Sequence, residues 1–238
     1  KEVVENKQPP IEVKKKEITK PKDPIAMLPA GPASDEWVAA VQSLSAEKQA
    51  KAVFAKLAEL NEGFDAAHKG NTFELVNGNV NNFCIQGQAV TDVSPVRALK
   101  SMHYFICRPF GTVQHVPTWS NVSLADLSPL KELPLNFLYV EGNRIEDLSS
   151  LKDMPLIHLR LGGTRVSDLA PLKNVKSLRI LSLNNTDATD LKPLANLKLD
   201  TLSLENTDVH DVAPLARLPL VNLNLRNTLV SDATHLGI

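Results

Sequence analysis

Six histidines, two cysteines and a periodic series of aspartates are the side chains in this sequence best suited to hold a metal or carry a reaction. The histidines (68, 103, 115, 158, 210 and 235) are scattered, and none pairs with a cysteine at metal-ligand spacing. Cys84 and Cys107 stand 23 residues apart with no Cys-x-x-Cys pair, so they form neither a zinc knuckle nor a disulfide scaffold. The chain carries no phosphate-binding glycine loop, nucleophile elbow, His-Glu-x-x-His helix or calcium-loop spacing. Aspartates 126, 147, 168, 190, 211 and 232 recur as a ladder that suggests repeated cation sites. Each, however, is surrounded by Leu and Pro rather than by further oxygen ligands, which points to a turn-capping role. The sequence therefore predicts no catalytic residue, no cofactor and no metal site. Its net charge of −1 gives no electrostatic reason to expect nucleic acid.

The aspartates lead to the elements that place them. Blocks such as Asp126-Leu-Ser-Pro-Leu, Asp168-Leu-Ala-Pro-Leu and Asp190-Leu-Lys-Pro-Leu follow at spacings of 21, 21, 22, 21 and 21 residues from Asp126 to Asp232. An earlier copy at Asp92 lies 34 residues upstream, one repeat plus an insertion of about thirteen residues. Between the blocks runs L-x-x-L-x-L-x-x-N/T-x-L, for example Leu156, Leu159, Leu161, Thr164, Val166. Five strong copies and weaker ones from Val80 and Met102 match the leucine-rich-repeat signature. The expected fold is an α/β solenoid: a short parallel sheet on the concave face and 3₁₀ or one-turn helices on the convex face. Strands are expected at 138–140, 159–161, 181–183, 202–204 and 223–225, with a bulge near Val175–Leu178 absorbing the residue that lengthens one copy to 22.

Upstream, three divisions are expected. Residues 1–33 hold seven Lys, five acids and six prolines, the composition of a disordered linker. Residues 34–80 read as an N-terminal cap: Ser34 and Ser45 as N-caps of two amphipathic helices, then a hairpin turning at Asn77-Gly78. Residues 81–238 form the solenoid. Because the chain opens on Lys1, it reads as a mature product or a piece of something longer. At the other end, Leu225 ends the last strand with only the Asp232 turn beyond it.

The repeats resemble bacterial internalin-type leucine-rich repeats. More narrowly, Asp35-Glu36-Trp37-Val38, Leu60-Asn61-Glu62-Gly63-Phe64-Asp65 and Val90-Thr-Asp-Val-Ser-Pro-Val-Arg-Ala-Leu are similar to a planctomycete-type group. In that group such repeats often form the C-terminal part of a serine/threonine protein kinase. The resemblance covers about residues 34–238 and implies a kinase upstream of Lys1, since this chain has no kinase motif of its own.

The concave face is where the repeat leaves freedom for function. Its outward positions read Tyr104, Ile106, Arg108; Phe137, Tyr139, Glu141; and His158, Arg160, Gly162, before small polar residues take over in later copies. Tyr104, Ile106, Arg108, Phe137, Tyr139, His158 and Arg160 are the candidate partner-binding residues, because aromatic and Arg side chains dominate interface hot spots. The insertion from Pro109 to Val122, with His115 and Trp119, is expected to lie beside them. Tyr104 and Phe137 as local core beneath that insertion is the competing reading. The function expected is capture of a protein or peptide by the sensor arm of a larger protein, or else adhesion at a cell surface without signalling. Either side of a bacterial membrane is compatible with the sequence.

Overall fold

A computed structural model describes residues 23–86, 90–108 and 124–236. Helices α1 (Asp35–Gln42) and α2 (Ala46–Leu60) precede a hairpin, β1 (Thr72–Val76) and β2 (Asn79–Gln86). Six further strands follow: β3 (Tyr104–Arg108), β4 (Phe137–Tyr139), β5 (His158–Arg160), β6 (Ile180–Ser182), β7 (Thr201–Ser203) and β8 (Asn222–Asn224). They form one sheet in sequence order, antiparallel between β1 and β2 and parallel thereafter. Short 3₁₀ turns, such as Ser128–Leu130 and Lys192–Leu194, separate the strands on the opposite face. The chain is a leucine-rich-repeat solenoid with a helical and hairpin cap at its N-terminal end.

Each repeat position has a physical reason. Leu138 and Val140, Leu159 and Leu161, and Leu181 and Leu183 are wholly buried, each pair pointing inward from one strand. The strands begin one residue before the expected windows because residues 137, 158, 180, 201 and 222 already pair with their neighbours. The Asn/Thr position then turns the chain inward. Thr164, Thr186 and Thr207 are buried, and each hydroxyl donates to the carbonyl three residues back, at 2.6–2.7 Å. Asn143 does more: its amide donates to Cys107 O and Val140 O and accepts from Leu124 N. It thus ties together the described residues flanking the insertion.

Each repeated aspartate accepts a hydrogen bond from the backbone N–H two residues on, from Asp92–Ser94 to Asp232–Thr234, at 2.7–3.0 Å. This Asx turn opens the outer 3₁₀ segment, where Pro loses no needed donor. The extra residue of the 22-residue copy lies between Val175 and Leu178, closed by a bond from Leu178 N to Val175 O. The sequence pattern did not mark one further constraint. Gly142, Gly163, Asn185, Asn206 and Asn227 all take positive φ two residues after the inner strand residue, where Gly and Asn are least strained.

At the cap, Ser34 Oγ accepts from Trp37 N, as expected of an N-cap. Ser45 makes no such bond; instead the Gln49 side chain donates to Leu44 O and Gln42 O. Asn77 and Gly78 both have positive φ, giving the type I′ turn, and Asn81 is the extra residue of a bulge opposite Glu74 and Leu75. Phe54 stacks on Phe83 with ring centroids 4.3 Å apart, covering the first coil. Residues 1–22 of the expected linker lie outside the described residues. From Asp23 onward the chain packs: Ile25 and Leu28 rest on the core and Ala33 is buried. Lys56 Nζ and Arg97 Nη2 hold the carbonyls of Gly31 and Ala33. Scattered apolar residues without a period hid this contact.

Leu181→Ala removes a wholly buried side chain flanked by Leu159 and Leu202, and is expected to cost ~2–5 kcal/mol in chemical denaturation. Ser182→Ala, on the outward face, should stay within ~0.5 kcal/mol. Equal losses at both positions would mean the faces are inverted.

Candidate functional site

The strands array their outward side chains in rows across the concave face. Register places Tyr104 beside Phe137, then His158, then Ile180; the next row runs Ile106, Tyr139, Arg160, Ser182. Two residues further along the strands lie Arg108, Glu141 and Gly162. All seven candidate residues therefore fall on β3–β5 and share one contiguous surface.

Their contacts make it a connected cluster. Tyr104 stacks on Phe137 and meets Tyr139 edge-on, both at 5.2 Å between centroids, and Phe137 meets His158 edge-on at 5.1 Å. Such pairs contribute about 0.5–1.5 kcal/mol each beyond the area they bury. The Arg160 guanidinium lies over the Tyr139 ring at 4.7 Å, and Arg108 approaches the same ring at 6.0 Å. Tyr139 is consequently only 8% exposed: it is the floor of the patch, not a projecting anchor. The other six candidates are half-buried, each with a part open to a ligand.

Sequence reasoning left Glu141 out of the patch, yet it organises the charges there. Arg108 Nη1 donates to Glu141 Oε2 at 3.1 Å, while Arg160 stands 3.9 Å from Oε1, an ion pair without a hydrogen bond. The signal was available: Glu141 ends the copy that supplies Phe137 and Tyr139, and opposite charges at adjacent positions across a sheet pair. The insertion carrying His115 and Trp119 lies outside the described residues.

Titration follows from this packing. Burial, reinforced by the hydrogen bond with Tyr139 and opposed by the two arginines, pushes the Tyr104 phenol up to about 12. Burial first, and the adjacent Arg160 charge second, hold His158 below the ordinary imidazole range. Tyr139 Oη and His158 Nδ1 share a hydrogen bond at 3.0 Å. The two cysteines face opposite ways: Cys84 pairs with Ile106 and Cys107 with Ile85, and both are free. Burial pushes the Cys107 thiol up to about 12, so it is an inert core residue. Among the described residues no group of three or more His, Cys, Asp or Glu could hold a metal ion, and no helix is long and apolar enough to cross a membrane.

Fold and surface together define the class: a leucine-rich-repeat solenoid whose concave sheet carries one aromatic and arginine cluster at its N-terminal half. No family model and no curated protein matches the sequence. Among solved structures, the chain is similar to an internalin, inlF, of Listeria monocytogenes: 23% identity, 68% of this chain and 55% of that one, TM-score 0.49. It is likewise similar to a plant ice-binding protein (15%, covering 77% and 71%, TM-score 0.50) and to the PEPR1–AtPEP1 structure (14%, covering 74% and 28%, TM-score 0.53). The chain thus spans little more than half the length of that internalin. At these identities the likeness is one of fold.

A depressed His158 pKa has a defined consequence for stability. Unfolded, the imidazole takes up its proton near pH 6.5; folded, it does so lower, so the unfolded state binds more protons between the two values. Stability contributed by His158 is therefore full above about pH 6.5 and is lost as pH falls through the folded value. His158→Gln should show a shallower loss of melting temperature than the wild type between about pH 7.5 and 5.5. Parallel curves for the two proteins would contradict this.

Proposed function

We infer that this chain is a non-catalytic binding module that captures a protein or peptide segment on the concave face of β3–β5. The observation that carries this is compositional and spatial at once. Tyr104, Phe137, His158, Arg108 and Arg160 converge there, whereas β6–β8 present mainly Ser, Thr and Asn at the equivalent positions. Rigid aromatic side chains offer contact area with little rotamer entropy to lose, and guanidinium forks select carboxylate or phosphate geometry. Short strands locked into a parallel ladder hold those groups in place before any ligand arrives.

The module serves as the interaction arm of a larger protein, with a serine/threonine kinase as the favoured companion. Support for the kinase comes from the resemblance at Asp35–Val38, Leu60–Asp65 and Val90–Leu99. Reading the gene upstream of Lys1 tests it. A kinase catalytic domain there agrees, and a secretion signal with no kinase would favour an adhesive surface protein instead.

Arg160→Ala combined with Tyr104→Ala is expected to lower recovery of the natural partner from the source cell at least tenfold, with thermal melting followed in parallel. Tyr139 is spared because it is floor: truncating it opens a cavity. Ser203→Ala with Asn224→Ala, on β7 and β8, should leave recovery unchanged. If the second pair lost the partner while the first retained it, the site would lie toward the C-terminal strands.

A further inference from the structure

We propose that Gly162 forms a side-chain-free subsite that seats one carboxylate, an Asp or Glu side chain of an extended protein segment lying across the patch. The proposal rests on the concave surface being the binding face and names what that face selects. Gly162 stands in the row of Arg108, Glu141, Asn184 and Glu205, where every neighbour carries a polar or charged side chain. Its φ is not positive, so backbone conformation does not demand glycine there. Nor does packing: a Cβ would come no closer than 3.4 Å, to Asn184 O, with Ser182 Oγ at 3.7 Å. The absent side chain leaves an opening in the row, and the folding of the coil does not explain it.

The backbone at this opening points to the ligand. Gly162 O accepts from Gly142 N at 2.8 Å; among the described residues the Gly162 N–H, like the equivalent N–H groups of Glu141 and Asn184, has no protein acceptor, and only at Gly162 does no side chain stand over it. Two coils later the equivalent donor, Glu205 N–H, is satisfied by a side-chain oxygen from the preceding strand, Asn184 Oδ1, at 3.0 Å. The residue that would reach Gly162 in the same way is Glu141, and its carboxylate is drawn to Arg108 instead. A ligand oxygen can therefore take the place that Asn184 Oδ1 fills elsewhere. Arg160, one row away, supplies a guanidinium that is ion-paired but not hydrogen-bonded to Glu141, and Ser182 Oγ borders the opening.

Charge selects the class of oxygen. Arg108 and Arg160 against Glu141 leave one net positive charge at the cluster. A carboxylate matches it one to one. A phosphate, at about −1.5 to −2, would bring an uncompensated charge toward Glu141. A Lys would meet the net positive charge and an N–H donor with nothing to accept.

The test selects binders from a displayed library of random dodecapeptides, using the whole chain as bait, and then measures synthetic peptides by calorimetry. Binders should share an Asp or Glu at one fixed position, and replacing it by Asn or Gln should weaken binding at least tenfold. Gly162→Ala and Gly162→Leu should abolish that acid preference, with the melting transition of the alanine variant unchanged. Arg160→Gln should reduce it, and Ser203→Ala should not touch it. Binders that need Tyr104 and Arg160 but show no acid preference would overturn the subsite and leave the binding face standing. Binders indifferent to all these residues, or a library that yields none, would overturn both. Tighter binding of phosphoserine than of Asp at the fixed position would replace the proposed occupant with a phosphate.

Discussion

A single coil of this protein cannot cover its own leucines, and everything else in the structure answers to that constraint. A strand of three residues contributes two inward side chains and a handful of backbone bonds, far too little to offset the entropy of ordering about 21 residues. Burial becomes complete only when a coil has neighbours on both sides, as Leu159, Leu161, Leu181 and Leu183 have. Coil spacing is in turn held by the backbone: Val140 N to Arg160 O, Leu161 N to Ser182 O, Leu183 N to Ser203 O, and Leu204 N to Asn224 O, all at 2.9–3.1 Å. The hydrophobic gain and the ladder are one cooperative system, and neither persists without the other.

The constraint also explains how the first coil is finished. Its outer neighbour is the helical pair, which offers Trp37, Val53, Phe54 and Leu57 to the core in place of another row of leucines. Asn61 is the hinge pin of that joint. Buried at the end of α2, it donates to Leu57 O and Asp92 O and accepts from Thr91 N and Asp92 N. An amide suits this position because it offers donors and acceptors together, where a hydroxyl would leave backbone groups of the first coil unpaired. Toward the last of the described residues, Leu220, Leu223, Leu225 and Val230 are only partly buried.

Period, strand faces, capping aspartates and the hairpin turn were legible in the sequence because each is a local rule repeated or a dipeptide with one conformational solution. The inserted residue at Val175–Leu178 was legible by subtraction, since Leu181 and Leu183 kept their places. What escaped were contacts between segments remote in sequence. The packing of Ile25, Leu28 and Ala33 follows no period, and the carbonyls near them are held by Lys56 and Arg97 from elsewhere in the fold. Ser45 looked like Ser34, but Gln49 reaches back to the carbonyls before the helix in one case and not the other. The seven concave residues were legible as a set because register alone gathers them. That Tyr139 lies beneath Arg160 was not, because register says which side chains are adjacent and not which one is on top.

Because coil stacking rests chiefly on the inward positions, most outward positions of the sheet vary at little cost to the fold, the buried Tyr139 being the exception. That freedom makes the distribution of residue types along the concave face informative. In β6–β8 it holds mainly Ser, Thr and Asn, and Asn206 donates to Asn185 and Asn227 to Asn206 at its rim. In β3–β5 it holds an aromatic cluster and three charges that the solenoid does not need. Two arginines around one glutamate leave a net positive charge poised over a buried ring, and an adjacent glycine leaves a donor uncovered. A surface built only for solubility would pair its charges and fill its row. Around Gly162 two arginines share one glutamate and the row lacks a side chain, and the departure lies next to the side chains best suited to hold a partner.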